Sequence, residues 1–302
     1  MDIFFPIAGV SAKLLYIVGL GGVIGMLSGL FGVGGGFLMT PLLIMMGIPP
    51  TVAAASDANQ IVGASTSGSL VHYRQGNIDI KMGMILLLGG ATGGVLGTFI
   101  IKYLREMGNA DFVISISYVV LLSVIGVFMF YESLKRLKDK SNKIPRPLKD
   151  NRFLKSLPLQ TEFPSSRIRV SLLFPISLGF FVGIMAAIMG VGGGFLMIPA
   201  MTYGLRMPMK MVVGTSLFQI LFTSIIITVM QASVNHTVDV FLAIAILIGS
   251  TIGVQVGARL GQHLSGQQLK IILAIIVLLV AAKMIIELVT APEFLLAPLG
   301  GH

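Results

Sequence analysis

The chain contains no cysteine, so neither disulfides nor thiolate metal sites can contribute to its fold or chemistry. Charge is almost as scarce. Of 302 residues, 11% are Asp, Glu, Lys or Arg while 55% are hydrophobic, and the mean hydropathy is +0.94. An ordinary soluble domain with that balance would expose large apolar patches. An HExxH helix, a nucleophile elbow, a Walker A loop and an intramembrane His pair are all missing, so the expectation is no enzyme, no metal centre and no cofactor. Period-2 alternation is weak and glycine frequent, which argues against a transmembrane β-barrel. The class that remains is an all-α polytopic membrane protein.

Apolar runs long enough to cross a hydrocarbon core of about 30 Å lie at 82–101, 112–131, 172–189, 211–230 and 240–258, with less uniform spans at 14–31, 52–71 and 271–289. The start, MDIFFPIAGV, lacks the basic n-region of a cleaved signal, so the first span is expected to be retained.

The heptad Gly32-Val33-Gly34-Gly35-Gly36-Phe37-Leu38 recurs unchanged at Gly190 to Leu196, 158 positions later, and each copy is followed by a proline, Pro41 or Pro199. Gly25 matches Gly183, Ser56 to Gln60 match Thr215 to Gln219, and Gly89, Gly93 and Gly97 match Gly249, Gly253 and Gly257. The chain therefore divides into a first transmembrane repeat (1–133), a linker (134–170) and a second repeat (171–302). Internal repeats in so apolar a chain point to a carrier with a site between its halves. The linker holds eleven Lys or Arg against Asp139, Asp150 and Glu162, and four prolines break it. By the positive-inside rule it is cytoplasmic. The net charge of +9 mostly reflects this segment, and its basic residues are not interleaved with stacking aromatics, so no nucleic-acid partner is expected.

Each half reads as about four full spans plus a short apolar segment after the glycine break, 37–48 or 195–205. If the short segments are re-entrant, the halves are parallel; if they cross, the halves are inverted. A dozen helical residues reach only about 18 Å, so two such pieces meet most naturally near the midplane. With the Lys and Arg distribution, this favours inverted halves and leaves the parallel arrangement as the alternative.

Polar residues inside the spans mark the candidate site. The breaks at Gly34, Gly35, Gly36 and at Gly192, Gly193, Gly194 either let backbones approach closely or leave free N–H groups at a short helix start that suit an anion. Ser56, Asn59, Gln60, Gly63 and Ser67 follow helical spacing on one face, and Thr215 and Gln219 occupy the matching stripe. Such stripes either hydrogen-bond helices together or line a path. Asp57, whose counterpart is Ser216, is an intramembrane carboxylate and by default a functional candidate, as a proton carrier or as a cap. The glycine ladders read as close-packing surfaces, which permit a homodimer without demanding one. Methionine pairs such as Met45-Met46 read as lipid or core facing, His72 and His236 as interfacial, and Lys283 with Glu287 as a self-neutralising pair.

The GxGGG-F-L-x-x-P motif, the Gly214-Thr215-Ser216-Leu217 stretch and the duplicated halves resemble the TauE/SafE sulfite exporter (TSUP) family over nearly the whole chain except the linker. The resemblance implies a secondary carrier of sulfite, sulfoacetate or related organosulfonates in the bacterial cytoplasmic membrane, working by alternating access and exporting its substrate. Its implied partners are a small anion and the lipid bilayer. The first half departs from the Gly-Thr-Ser-Leu pattern with Ala55-Ser56-Asp57-Ala58. An anion channel, or a proton-coupled carrier of a different small solute, remains the alternative.

Overall fold

The computed structural model describes residues 2–31, 36–138, 158–166, 168–205, 207–261 and 266–290. Within them the helices are α1 (Leu14–Phe31), α2 (Gly36–Met45), α3 (Pro50–Arg74), α4 (Ile80–Glu106), α5 (Ala110–Lys138), α6 (Leu173–Met189), α7 (Gly194–Pro199), α8 (Met209–Met230), α9 (Val240–Gly261) and α10 (Gly266–Thr290). Two π-helical segments, Ala200–Leu205 and Gln231–Asn235, extend α7 and α8. Five helical stretches are long and apolar enough to cross a membrane: Ile80–Glu106, Ala110–Tyr131, Met209–Asn235, Val240–Gly257 and Ile271–Thr290. They coincide with five of the runs read from the sequence, and α1, α2 and α6 contribute shorter apolar helices. The protein is an all-α multi-pass membrane protein.

The glycine ladders set the packing. Along α1, Gly21 and Gly25 approach the backbone at Ile246 and Ser250 of α9, while Gly249, Gly253 and Gly257 approach Val18, Gly22 and Met26. Numbers rise together on both helices, so α1 and α9 run in the same direction. The pair α4 and α6 repeats this geometry: Gly89, Gly93 and Gly97 meet Ile176, Phe180 and Ile184, and Gly179 and Gly183 meet Leu86 and Gly90. Without a hydrophobic force between helices in lipid, such backbone proximity is what dispersion and Cα–H contacts need.

The same reasoning orients the central helices. Gly83, Gly90 and Gly94 of α4 lie against Phe218, Thr223 and Ile227 of α8, a parallel pair. Ser56 and Gly63 of α3 lie against Asp239 and Leu247, at and beyond the start of α9, a second parallel pair. The end of α3 meets the start of α8, since Leu217 fills the space at Gly68 and His72 borders Gly214. Thus α1, α3 and α9 run one way and α4, α6 and α8 the other. Asp79, before α4, and Asp239, before α9, consequently lie at opposite ends of the bundle.

The short helices begin side by side. Phe37 of α2 and Phe195 of α7, the same residue of the repeated heptad, stack with ring centroids 4.5 Å apart and planes 1° from parallel. Before α7 the chain turns through Gly190, Gly192 and Gly193 at φ of 71°, 68° and 79°, a left-handed conformation that is cheap only for glycine. Pro199 then ends α7, because it offers no N–H to the ladder, and the chain widens into the π-helical segment.

Two antiparallel hairpins were not expected. β1 (Asp2–Phe5) pairs with β2 (Val10–Lys13) ahead of α1, and β3 (Gln160–Phe163) pairs with β4 (Ile168–Ser171) ahead of α6. Phe5 and Phe163 occupy matching places, opposite Val10 and Ile168, and both are fully buried in the bundle. Composition assigns 158–170 to the basic linker. Burial of one aromatic residue per hairpin outweighs that polar composition, since a Phe side chain removed from water contributes about 1.5–3 kcal/mol.

Candidate functional site

The inward faces of α3 and α8 are polar. α3 buries Ser56, Asp57, Gln60, Ser65 and Ser69, and α8 buries Thr215, Ser216, Gln219, Thr223 and Ser224. The α3 face is turned from the one that spacing alone indicated: Asn59 and Gly63 are half-buried and Ser67 is exposed. The turn follows from the apolar residues, because Ala54, Ala58 and Ile61 all bury with Asp57 and draw that side of the helix inward. Asn59 points sideways, its amide 3.4 Å from the Ala55 carbonyl, into a 260 Å³ cavity shared with Thr228 and apolar residues of α3, α8 and α9.

Three of the expected site residues are already engaged. Ser56 Oγ accepts the Asp239 N–H at 3.2 Å, and Thr215 Oγ1 accepts the Asp79 N–H at 3.0 Å. Ser216 Oγ donates to the Val213 carbonyl at 3.0 Å. The rest are not. Among the described residues, Asp57 Oδ1, Gln60 Oε1, Gln219 Oε1, Ser65 Oγ and Ser224 Oγ are buried and have no hydrogen-bond partner. Each orphan of this kind costs about 1–3 kcal/mol unless a ligand or water completes its bonding; His72 Nδ1, Thr228 Oγ1 and Asn235 Oδ1 are further orphans. Both glutamines offer N–H as well as C=O, and their amide orientation is set by the surrounding network. Gln219 Nε2 donates to Thr223 Oγ1 at 2.8 Å, in space that Gly90 leaves open.

Asp57 has its own environment. Oδ2 accepts the Thr40 hydroxyl at 2.9 Å, and Gly36 leaves the room for that carboxylate oxygen and for Ile61. Tyr118 of α5, fully buried, donates its hydroxyl to the carbonyl of Met189, the last residue of α6 before the break. Ile198 and Ser216 stand at the places that match Thr40 and Asp57 in the recurring sequence, so this polar group is not duplicated there.

Among the described residues, Gly36 at the start of α2 and Gly192 before α7 lie beside the same side chain. Ile61 fills the space beside both Gly36 and Gly192, while Val182 fills that beside Gly193, and Gly194 starts α7. Gly34 and Gly35 lie outside the described residues. Asp57, Gln60 and Gln219 are at most 1% exposed, so the centre is closed towards both ends. Sequence reasoning missed Thr40, Tyr118, Ser65, Thr223 and Ser224. Thr40 is a lone hydroxyl in an apolar run, and the other four stand beside further hydroxyls that spacing does not rank.

Comparison with known proteins agrees with this architecture. The description "Sulfite exporter TauE/SafE" matches residues 17–284. The probable membrane transporter protein YunE of Bacillus subtilis is 25% identical over 92% of this chain and 98% of its own length. The probable membrane transporter protein YjnA of the same organism is 29% identical over 89% of this chain and 98% of its own. Sulfite exporter TauE/SafE family protein 2 of Arabidopsis thaliana is 30% identical over a third of this chain and 22% of its own length. No solved structure matches the chain. With a family match that spans nearly all of the transmembrane bundle, and relatives matched almost end to end that are named as transporters, the chain belongs to the sulfite exporter TauE/SafE family of membrane transporters.

Proposed function

We propose that the protein is a secondary transporter that exports small sulfur-containing anions, sulfite or an organosulfonate such as sulfoacetate, across the bacterial cytoplasmic membrane by alternating access. The observation that carries this reading is the set of unpaired buried polar atoms on the facing sides of α3 and α8, centred on Gln60 and Gln219 and bounded by the two glycine breaks. Of these atoms the Ser65 and Ser224 hydroxyls are donors as placed, and the Gln60 and Gln219 amides present N–H to an oxyanion when their orientation is reversed; such neutral donors without a fixed cation bind an oxyanion only moderately, which favours release. The occlusion of that centre from both ends supports a carrier over an open pore. Outward movement of a monoanion is driven by an inside-negative potential at about 2.3 kcal/mol per charge per 100 mV.

We also infer that the halves are inverted copies. The support is reciprocal: α1 packs on α9 as α6 packs on α4, Phe37 stacks on Phe195, and α1 and α6 run oppositely. On this reading each short helix returns the chain across part of the membrane. The β3–β4 hairpin then belongs to the second copy, and the linker shortens to 134–159.

A second reading has its own observation. Asp57 Oδ1, buried and unpaired, favours a carrier coupled to protons. An anion about 4 Å from an ionised carboxylate is repelled by about 4 kcal/mol at an effective dielectric of 20, so the two bind together only when Asp57 carries a proton.

Flux of radiolabelled sulfite into proteoliposomes, with thiosulfate and a C2 sulfonate as competitors and an imposed potential, tests the substrate class. Saturable flux that competitors reduce and that a 100 mV potential changes is the expected outcome. Absence of flux for sulfite, and for thiosulfate and the sulfonate when each is labelled in turn, with the protein folded and inserted, removes sulfur anions and leaves the proton-coupled reading.

A further inference from the structure

Two aspartates that the site does not use are bonded in matching ways at opposite ends of the bundle. Asp79 accepts the Met82 N–H on Oδ1 at 3.0 Å, which caps α4. Its Oδ2 accepts the Ser166 N–H at 3.2 Å and the Ser166 hydroxyl at 2.6 Å, both from the turn of the β3–β4 hairpin. Asp239 caps α9 through the Leu242 N–H on Oδ1 at 3.1 Å, and its Oδ2 accepts the N–H groups of Ile7 and Ala8 at 3.1 and 3.3 Å, from the turn of the β1–β2 hairpin. Both aspartates are 1% exposed. Their backbone N–H groups donate to Thr215 and Ser56, which stand on the polar helices α8 and α3 four residues before Gln219 and Gln60.

Each aspartate therefore holds three things at once: a helix start, a hairpin turn and a polar helix of the site. A helix cap needs only one carboxylate oxygen. The second oxygen is spent on the hairpin, a segment that lies outside the spans and ahead of the helix packed beside the capped one.

We propose that Asp79 and Asp239 are positioning residues of the transport cycle, and that the two hairpins are its two gates. The β3–β4 hairpin, latched to Asp79, closes the path at the end where α4, α6 and α8 begin; the β1–β2 hairpin, latched to Asp239, closes the opposite end. Opening one side breaks the Oδ2 bonds there while the Oδ1 cap stays in place. Because Thr215 and Ser56 share these aspartates, displacement of α8 or α3 on substrate binding is transmitted to one hairpin. Release of one latch at a time gives alternating access; release of both gives a leak. This gating rests on the carrier reading and not on the identity of the solute.

The chain has no cysteine, so single reporters can be introduced without background. Ser65→Cys and Ser224→Cys place a buried thiol on α3 and α8, and labelling by a membrane-impermeant maleimide is followed from each face of oriented membrane vesicles containing the full chain. Asp79→Asn keeps the cap, because asparagine still accepts from Met82, but turns an amide N–H towards Ser166. Hydrogen bonds to a charged acceptor are strong enough that their loss should accelerate labelling about 10- to 100-fold, from the Asp79 end only. Asp239→Asn should do the same from the other face. Ser166→Ala, which removes one bond and leaves the aspartate untouched, should accelerate labelling at the Asp79 end if Asp79→Asn fails to accumulate as folded protein. Unchanged labelling in the folded variants, or acceleration of both from one face, overturns the proposal. A protein that passes this test yet moves no sulfite retains its gates and loses its proposed substrate.

Discussion

Gly253→Val should leave little or no folded protein. A Cβ at that position would overlap the Gly22 carbonyl oxygen and the Met26 amide of α1, and these are backbone atoms that no rotamer change can move. The two helices would have to separate along their whole contact, which includes Gly249 on Val18 and Gly257 on Met26. Overpacking of a side chain costs about 1–3 kcal/mol; displacement of a backbone interface puts this substitution at about 4 kcal/mol or more, in the range reserved for the most disruptive changes. Gly19→Ala is the control. Nothing lies within 4 Å of a Cβ there, and helix propensity favours alanine by up to about 1 kcal/mol. Thermal unfolding in detergent, read by size-exclusion recovery, should show loss of monodisperse protein for the first variant and an unchanged or slightly higher midpoint for the second. Equal behaviour of the pair would mean that the α1–α9 approach does not hold the bundle together.

Asp57→Asn should abolish the response of flux to a pH gradient while leaving the fold intact. Asparagine has the same shape and still accepts the Thr40 hydroxyl through its carbonyl oxygen, so the contact seen at 2.9 Å survives. What it cannot do is bind and release a proton. If Asp57 is loaded once per cycle together with the solute, a pH difference of one unit, worth 1.36 kcal/mol per proton, changes the steady accumulation ratio about tenfold, with accumulation on the alkaline side. The variant should show no such change. Proteoliposomes with the potential clamped and the pH stepped across the membrane give this directly. A full tenfold response in Asp57→Asn would assign the carboxylate a structural role beside Thr40 and send the search for a coupling group elsewhere.

Much of the architecture was legible because membrane packing writes itself into glycine. The ladders Gly89/Gly93/Gly97 and Gly249/Gly253/Gly257 are close-contact surfaces as their spacing implies, and the second heptad does break the chain before a short helix. The face of α3 was less legible. Ser56, Asn59 and Gln60 satisfy helical spacing, yet a helix with polar residues on more than one side gives no sharp direction, and the buried alanines decide which side turns inward. The aspartates at the helix starts were present in plain view, in the repeated triplets Ile78-Asp79-Ile80 and Val238-Asp239-Val240, where an acidic residue ahead of an apolar run is a capping signal. Their second role could not be read, since it depends on hairpins distant in the chain. Those hairpins left only the faint repeat of Phe5-Pro6 in Phe163-Pro164. Thr40 and Tyr118 left less still, because nothing in the sequence says which distant acceptor a buried hydroxyl will meet, the Asp57 carboxylate for one and the Met189 carbonyl for the other.

The long sequence separation of packed partners has a consequence for how the chain is made. The β1–β2 turn and Asp239 are 232 positions apart, and α1 takes its main partner from the same distant region as Gly249, Gly253 and Gly257. At about 5–20 residues per second, the first helix waits roughly 10 to 45 seconds in the bilayer before its partner is synthesised. During that time its backbone-exposing glycines face lipid or another protein. The packing of α1 is withheld until α9 arrives, so a truncation that removes α9 damages the beginning of the protein as much as its end.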